Sequence, residues 1–285
     1  MSFIKKNYHD WFFSEHPNST LSAVRFFLGL YVIVVTLDII PVSDLLLTSQ
    51  GVMPSGLYAL PDNWIKPLLY LLIFLGATLA ASFQTRITTA LIIILFWKLI
   101  DQNPYIWFGA EHVAYFFSIW TLFLRSPRQK LSSSEWGDWP IRAIQAQTSI
   151  IYVVTGIKKL ITPTWQNGTA LHYAIQGFAQ YSDASWLGHK LAPLFRIGNY
   201  FTLVIEILFP IIWISPFRLP FLAMIFTLHL GIDLLFPVRG FSIIMMAGLC
   251  SFLNAADWLT LGKFINSLKS LGIRFRAQSK PSQSS

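Results

Sequence analysis

Apolar residues run along this chain in stretches of roughly twenty, several of them separated by turn signals, and that repeated length limits the folds open to it. The stretches span 21–40, 65–83, 87–103, 108–124, 141–160, 199–215, 217–236 and 239–254. Between them stand Pro61 with Asp62 and Asn63, Ser126 with Pro127, Pro163, and Ser215 with Pro216. Such a length matches the hydrocarbon core of a bilayer, where a single segment satisfies its own backbone only as a helix. The expected fold is therefore all-α, a polytopic integral membrane helical bundle of about eight transmembrane helices. Composition agrees: 54% of the 285 residues are hydrophobic and 12% charged, about half the charged share of a soluble domain.

The remaining counts exclude several classes. One cysteine, Cys250, leaves no intramolecular disulfide. The net charge of +8 is spread over segment ends and the C-terminal region without a basic face, so no nucleic-acid partner is expected. No phosphate-binding glycine loop, dinucleotide fingerprint or Gly-x-Ser-x-Gly elbow occurs. The first apolar run follows about twenty polar and aromatic residues, holds Arg25 and Asp38, and shows no small-residue cleavage pattern, so it is expected to stay as a span.

Residues 1–20 read as an N-terminal segment, 21–258 as one membrane domain without internal repeat, and 259–285 as a polar, basic tail whose last twenty or so residues are expected to be disordered. Residues 41–60 and 169–195, the latter with Trp186, are too apolar for plain loops and read as interfacial or re-entrant pieces. With eight spans, Lys5, Lys6, Arg86, Arg125, Arg128, Lys130, Arg218 and the basic C-terminal residues share one side. The positive-inside rule then predicts both termini in the cytoplasm and Lys159 at the far face.

Ionisable residues inside apolar segments mark candidate sites. Gln145, Thr148, Tyr152, Thr155 and Lys159 follow one another at spacings of 3, 4, 3 and 4, which stacks them on one helical face. Lys158 sits about 100° away from that face. Lys159 thus ends a buried polar stripe. A lysine acts as a base only when neutral, and burial beside a second cation favours that form. Lys158 is the neighbouring cation. The alternative is that both lysines snorkel to the headgroups. Elsewhere His112 follows Glu111, Glu206 lies mid-span on a face shared with Asn199 and Thr202, and His229 stands one turn before Asp233. Arg25 and Glu206 are candidates to pair with each other. His112, His229, Asp233 and Glu206 include chemically suitable metal ligands, but none has the spacing of a zinc or di-iron motif, and no metal is expected.

Thr155, Gly156, Ile157, Lys158, Lys159 and Leu160, with Trp165 and Gly168 after them, resemble the membrane core of vitamin K-dependent γ-glutamyl carboxylase, the horizontally transferred transmembrane (HTTM) domain. Similar segments keep their order over 20–260. They are the run 22–29 with Asp38, Phe74 to Ala77 with Arg86, His112 with Tyr115, Gln147 with Tyr152, Phe226 to His229, and Phe241 to Ile243. In that family the second lysine of the pair deprotonates reduced vitamin K, on the way to removing a proton from glutamate before carbon dioxide adds. The resemblance implies a carboxylase-like lyase with a reduced quinone as cofactor and Lys159 as general base, with His112 as its polarising partner. It also implies a substrate or quinone pocket drawn from Glu111, Tyr115, Gln147, Tyr152, Lys158, Trp165, Glu206 and His229. Its partners would be the lipid bilayer and a peptide or protein on the non-cytoplasmic side. Two departures stand out: the chain has nothing like the carboxylases' large lumenal domain after its last span, and Glu111 stands where the family has Asn. Stand-alone bacterial HTTM proteins, one of them involved in maturing a secreted toxin peptide, are also similar. They point to a multi-pass protein of the bacterial inner membrane, and to an alternative role as a non-catalytic accessory protein for maturation or export of a secreted peptide.

Overall fold

In the computed structural model every regular element among the described residues is helical. The described residues are 11–49, 51, 60–103, 109–126, 137–179, 190–214, 216–236, 238 and 240–278; Trp186, Lys5, Lys6, Arg128, Lys130 and Arg239 lie outside them. In chain order the helices are α1 (Asn18–Ile39), α2 (Ser43–Leu47), α3 (Asp62–Ala80), α4 (Thr85–Gln102), α5 (Gly109–Leu122), α6 (Trp139–Leu160), α7 (Pro163–Gln166), α8 (Ala170–Ala179), α9 (Ala192–Ile207), α10 (Arg218–Leu235), α11 (Phe241–Cys250) and α12 (Ala255–Gln278). Short 3₁₀ turns at Ile40–Val42 and Phe209–Trp213 extend α1 and α9.

Each of the eight apolar stretches carries a helix. Three runs are long and apolar enough to cross a membrane by length and composition: Asn18–Leu47, Asp62–Ala80 and Arg218–Leu235. The others fall short for visible reasons. Helix α11 has ten residues, α4 carries Arg86, Lys98 and Asp101, and α6 carries Arg142, the polar stripe and both lysines. The chain divides into two units, Met1–Phe252 and Leu253–Ser285. The expectation of a disordered tail is corrected as far as Gln278, because α12 is helical from Ala255 to Gln278; residues 279–285 lie outside the described residues. Its start is fixed by a reciprocal cap, in which the Asn254 backbone N–H donates to Asp257 at 2.8 Å and the Asp257 N–H donates to the Asn254 side chain at 3.0 Å. The cap satisfies donors that a helix start otherwise leaves open.

In the first unit the closest helix crossing is that of α1 with α3, where Gly29 and Gly76 face each other. A Cβ on Gly29 would lie 2.4 Å from the Gly76 carbonyl oxygen, and one on Gly76 2.8 Å from that of Gly29. Small residues allow such backbone approach where no hydrophobic drive acts between helices in lipid. Leu21, Val24, Leu28, Val32, Leu69, Leu72 and Leu79 pack fully around the crossing.

A buried polar tie joins the N-terminal segment to α5 and α6. Arg125, just past α5, meets Asp138, just before α6, at 2.9 Å, with exposures of 5% and 0%. The second Asp138 oxygen accepts from the His16 N–H at 2.7 Å. Arg125 also donates to the His16 carbonyl at 2.6 Å and to Asn18 at 2.5 Å. Arg25, wholly buried on α1, donates to the carbonyl of Arg125 at 2.6 Å and that of Leu124 at 3.4 Å. The expected Arg25–Glu206 pair therefore does not form. Arg25 instead supplies protons to carbonyls that the end of α5 leaves without intrahelical donors. Burial, reinforced by the charge of Arg142, lowers the pKa of the His16 imidazole to about 4.

Two consequences are measurable. Gly29→Ala forces a methyl onto the Gly76 carbonyl and is expected to cost about 1–3 kcal/mol as overpacking, read as a lower Tm in detergent. The folded state keeps His16 neutral below its ordinary pKa of 6.5, so from there to about pH 4 the unfolded chain binds the extra proton. Stability through this group is complete above pH 6.5 and falls on acidification by up to about 1.4 kcal/mol per pH unit. His16→Gln, which keeps the backbone contacts, should flatten the Tm–pH slope over that window relative to the parent.

Candidate functional site

The stripe on α6 faces inward, and each member meets a different partner. Gln145 donates to the Ser251 carbonyl at 2.6 Å, beyond the end of α11. Thr148 lies fully buried where a Cβ on Gly248 would come within 2.5 Å of its hydroxyl. One turn on, Tyr152 is 3% exposed, stacks on Phe209 at 4.2 Å and shares a 2.5 Å hydrogen bond with Nε2 of His229. Thr155 lies against the Glu206 carboxylate.

At the end of the stripe Lys159 donates to both carboxylate oxygens of Glu206, each at 2.6 Å. The side chains are 21% and 9% exposed. Gly156 brings these residues together, since a Cβ there would lie 3.0 Å from the Cβ of Glu206 and from the Ile207 nitrogen. Helix α6 can approach α9 at this height only because Gly156 has no side chain. The turn after α6 closes the site. Asn199 of α9 donates to the Trp165 carbonyl at 2.8 Å and the Tyr200 hydroxyl to that of Gln166 at 3.0 Å. The Trp165 ring then sits 5.1 Å from the Lys159 ammonium, within reach of a cation–π contact.

Glu206 and Trp165 thus stand in contact with Lys159, and Tyr152, two turns earlier on the same face of α6, stands in contact with His229. Other candidates fall elsewhere. Lys158 is exposed, so it is not the buried cation that would favour a neutral Lys159; the charge beside Lys159 is the opposite one, on Glu206. His112 is exposed on α5, and the groups packed on Lys159 are Glu206 and Trp165 instead. Glu111 lies beside the buried Tyr31. Tyr115 packs with Trp97 at 6.4 Å. Gln147, three turns before Lys159, accepts from the Trp120 indole at 2.8 Å. Asp233 accepts from the Ser242 hydroxyl at 2.6 Å rather than pairing with His229. No group of three or more His, Cys, Asp or Glu that could hold a metal ion is present among the described residues.

Sequence reasoning passed over Asn199 as more than a neighbour of Glu206. Its Nδ2 holds Trp165 in place, while its Oδ1 is buried without a partner, as is Nδ1 of His229. Two orphaned polar atoms stand beside these contacts, and buried polar groups normally find partners. The arrangement offers a charged pair beside the Trp165 ring and a Tyr–His hydrogen bond whose tyrosine stacks on Phe209. Lys159 and Glu206 can exchange a proton within their own contact.

Breaking the pair from one side should be costly. Glu206→Ala strands the Lys159 ammonium and is expected to lose about 3–5 kcal/mol, seen as a large drop in Tm. Replacing both with apolar residues of similar volume, Lys159→Met with Glu206→Leu, should recover most of that loss. No protein-family model, curated protein or solved structure matches the chain.

Proposed function

We propose that this chain is an HTTM-like membrane enzyme of about eight spans, in which the Lys159–Glu206 pair is an acid–base site for a lipid-soluble reduced quinone. The observation that carries the reading is the bidentate 2.6 Å contact at the C-terminal end of a buried polar stripe, two turns beyond the Tyr152–His229 hydrogen bond. A salt-bridged ammonium cannot accept a proton. Lys159 serves as general base only after its proton has moved to Glu206 within that contact, so the two residues work as one unit. The orphaned Oδ1 of Asn199 can accept from one hydroxyl of such a ligand, and Nδ1 of His229 can bond the other in either tautomer. When bound, a reduced quinone supplies the acidic hydroxyl. Glu206 holds the relayed proton, Trp165 and Phe209 flank the ring, and Tyr152 keeps the His229 imidazole oriented. His112 stays a proposed helper at the rim of the same non-cytoplasmic face. Both termini lie in the cytoplasm of a bacterial inner membrane, and the acceptor is a secreted peptide or protein, carboxylated as the HTTM resemblance implies.

A second reading has its own support. Glu206 and Trp165 already complete the surroundings of Lys159 without a ligand, as a purely structural clamp would. The chain would then be an accessory protein for peptide maturation or export.

Organic extraction of the purified protein, followed by mass spectrometry for quinones, separates the two readings. A stoichiometric quinone in the parent, diminished in Lys159→Ala, is expected. A folded parent that retains none after incubation with added quinone would sink the enzymatic reading in favour of the accessory one.

A further inference from the structure

The second unit carries a feature that the Lys159 cluster leaves unused. Helix α12 is 24 residues long and opens with the Asn254–Asp257 cap. At 100° per residue, Trp258, Leu261, Phe264 and Ile265 fall within one arc of its surface, which also holds the capping Asp257. Lys263, Asn266 and Ser267 fall opposite together with the exposed Leu259, and Lys269 borders the arc. Phe264 is 60% exposed and Ile265 49%; Lys263 and Lys269 are exposed as well. Across the whole unit, Lys263, Lys269, Arg274, Arg276 and Lys280 stand against the single acid Asp257.

An apolar arc backed by cations and low in overall hydrophobicity is the pattern of a helix that lies in a membrane interface rather than crossing it. The charge selects the surface, because each Lys or Arg near an anionic leaflet adds attraction that a neutral leaflet does not provide. The tether also restricts the choice, because only residues 251–254 link the apolar helix α11 to α12 along the chain. We propose that α12 is an interfacial amphipathic helix that docks on anionic phospholipid, with Phe264 and Ile265 in the acyl boundary and Lys263 and Lys269 at the headgroups.

The test uses the full chain in nanodiscs, with the single native cysteine removed by Cys250→Ala. A fluorophore is placed at Phe264→Cys or, on the opposite face, at Asn266→Cys. Quenching by brominated lipid is compared with quenching by aqueous iodide. In phosphatidylglycerol-rich discs the label at 264 should be quenched by lipid and shielded from iodide, and that at 266 the reverse. The contrast should fade in pure phosphatidylcholine discs and on adding Lys263→Glu with Lys269→Glu. Both labels open to iodide in every lipid would overturn the proposal. So would a label at 264 shielded from both quenchers, which would mean that protein covers the face. Equal lipid quenching in phosphatidylcholine would refute the requirement for anionic lipid.

Discussion

A polar side chain inside an apolar bundle must find a partner, and α6 carries five of them in one line. Thr148 and Thr155 bond back to their own helix, while Gln145, Tyr152 and Lys159 reach other elements. This constraint organises the first unit. Gln145 ties α6 to the chain beyond α11, Tyr152 to α10, and Lys159 to α9. Leaving any of these groups unpaired would cost more than the net gain of pairing it, so the stripe specifies which helices surround α6 as well as holding them there. Gly156 and Gly248 supply the close approaches that these contacts require.

Two buried ion pairs stand at opposite ends of α6, and they differ in kind. Arg125 and Asp138 are nearly sealed and embedded in further hydrogen bonds to His16 and Asn18. A pair so thoroughly satisfied fixes geometry. Lys159 and Glu206 keep some exposure and have orphaned polar atoms nearby. Desolvation offsets much of the attraction in either pair, so neither is explained by stability alone. Unpartnered polar atoms stand beside both pairs, Nδ1 of His16 and Nε and Nη1 of Arg25 next to the first, so it is the partial exposure of Lys159 at the end of the polar stripe that makes the second the functional candidate.

The stripe was legible in the sequence because helical spacing fixes which residues share a face, and its inward orientation follows from the cost of polar groups in lipid. The partners were not legible. Glu206 lies 47 residues from Lys159, and spacing within one helix says nothing about which other helix packs against it. Arg125 reads from sequence as a topology-setting surface charge and is in fact buried on Asp138, a loop acid with no periodicity to mark it. The length of α12 was missed because Ser, Lys and Arg lowered the apparent hydrophobicity of the segment, while the Asn254–Asp257 cap that starts it is a three-residue signal.

Lys159 and Glu206 also occupy the same station on their helices, each in the last turn before the chain leaves α6 or α9. The carbonyl end of a helix carries partial negative charge, which favours a cation and disfavours an anion. Lys159 is therefore supported by its own helix as well as by Glu206, whereas Glu206 is opposed by its own helix and depends on Lys159. The two members of the pair are chemically reciprocal but not energetically equivalent: α9 can end on a carboxylate here because α6 ends on an ammonium.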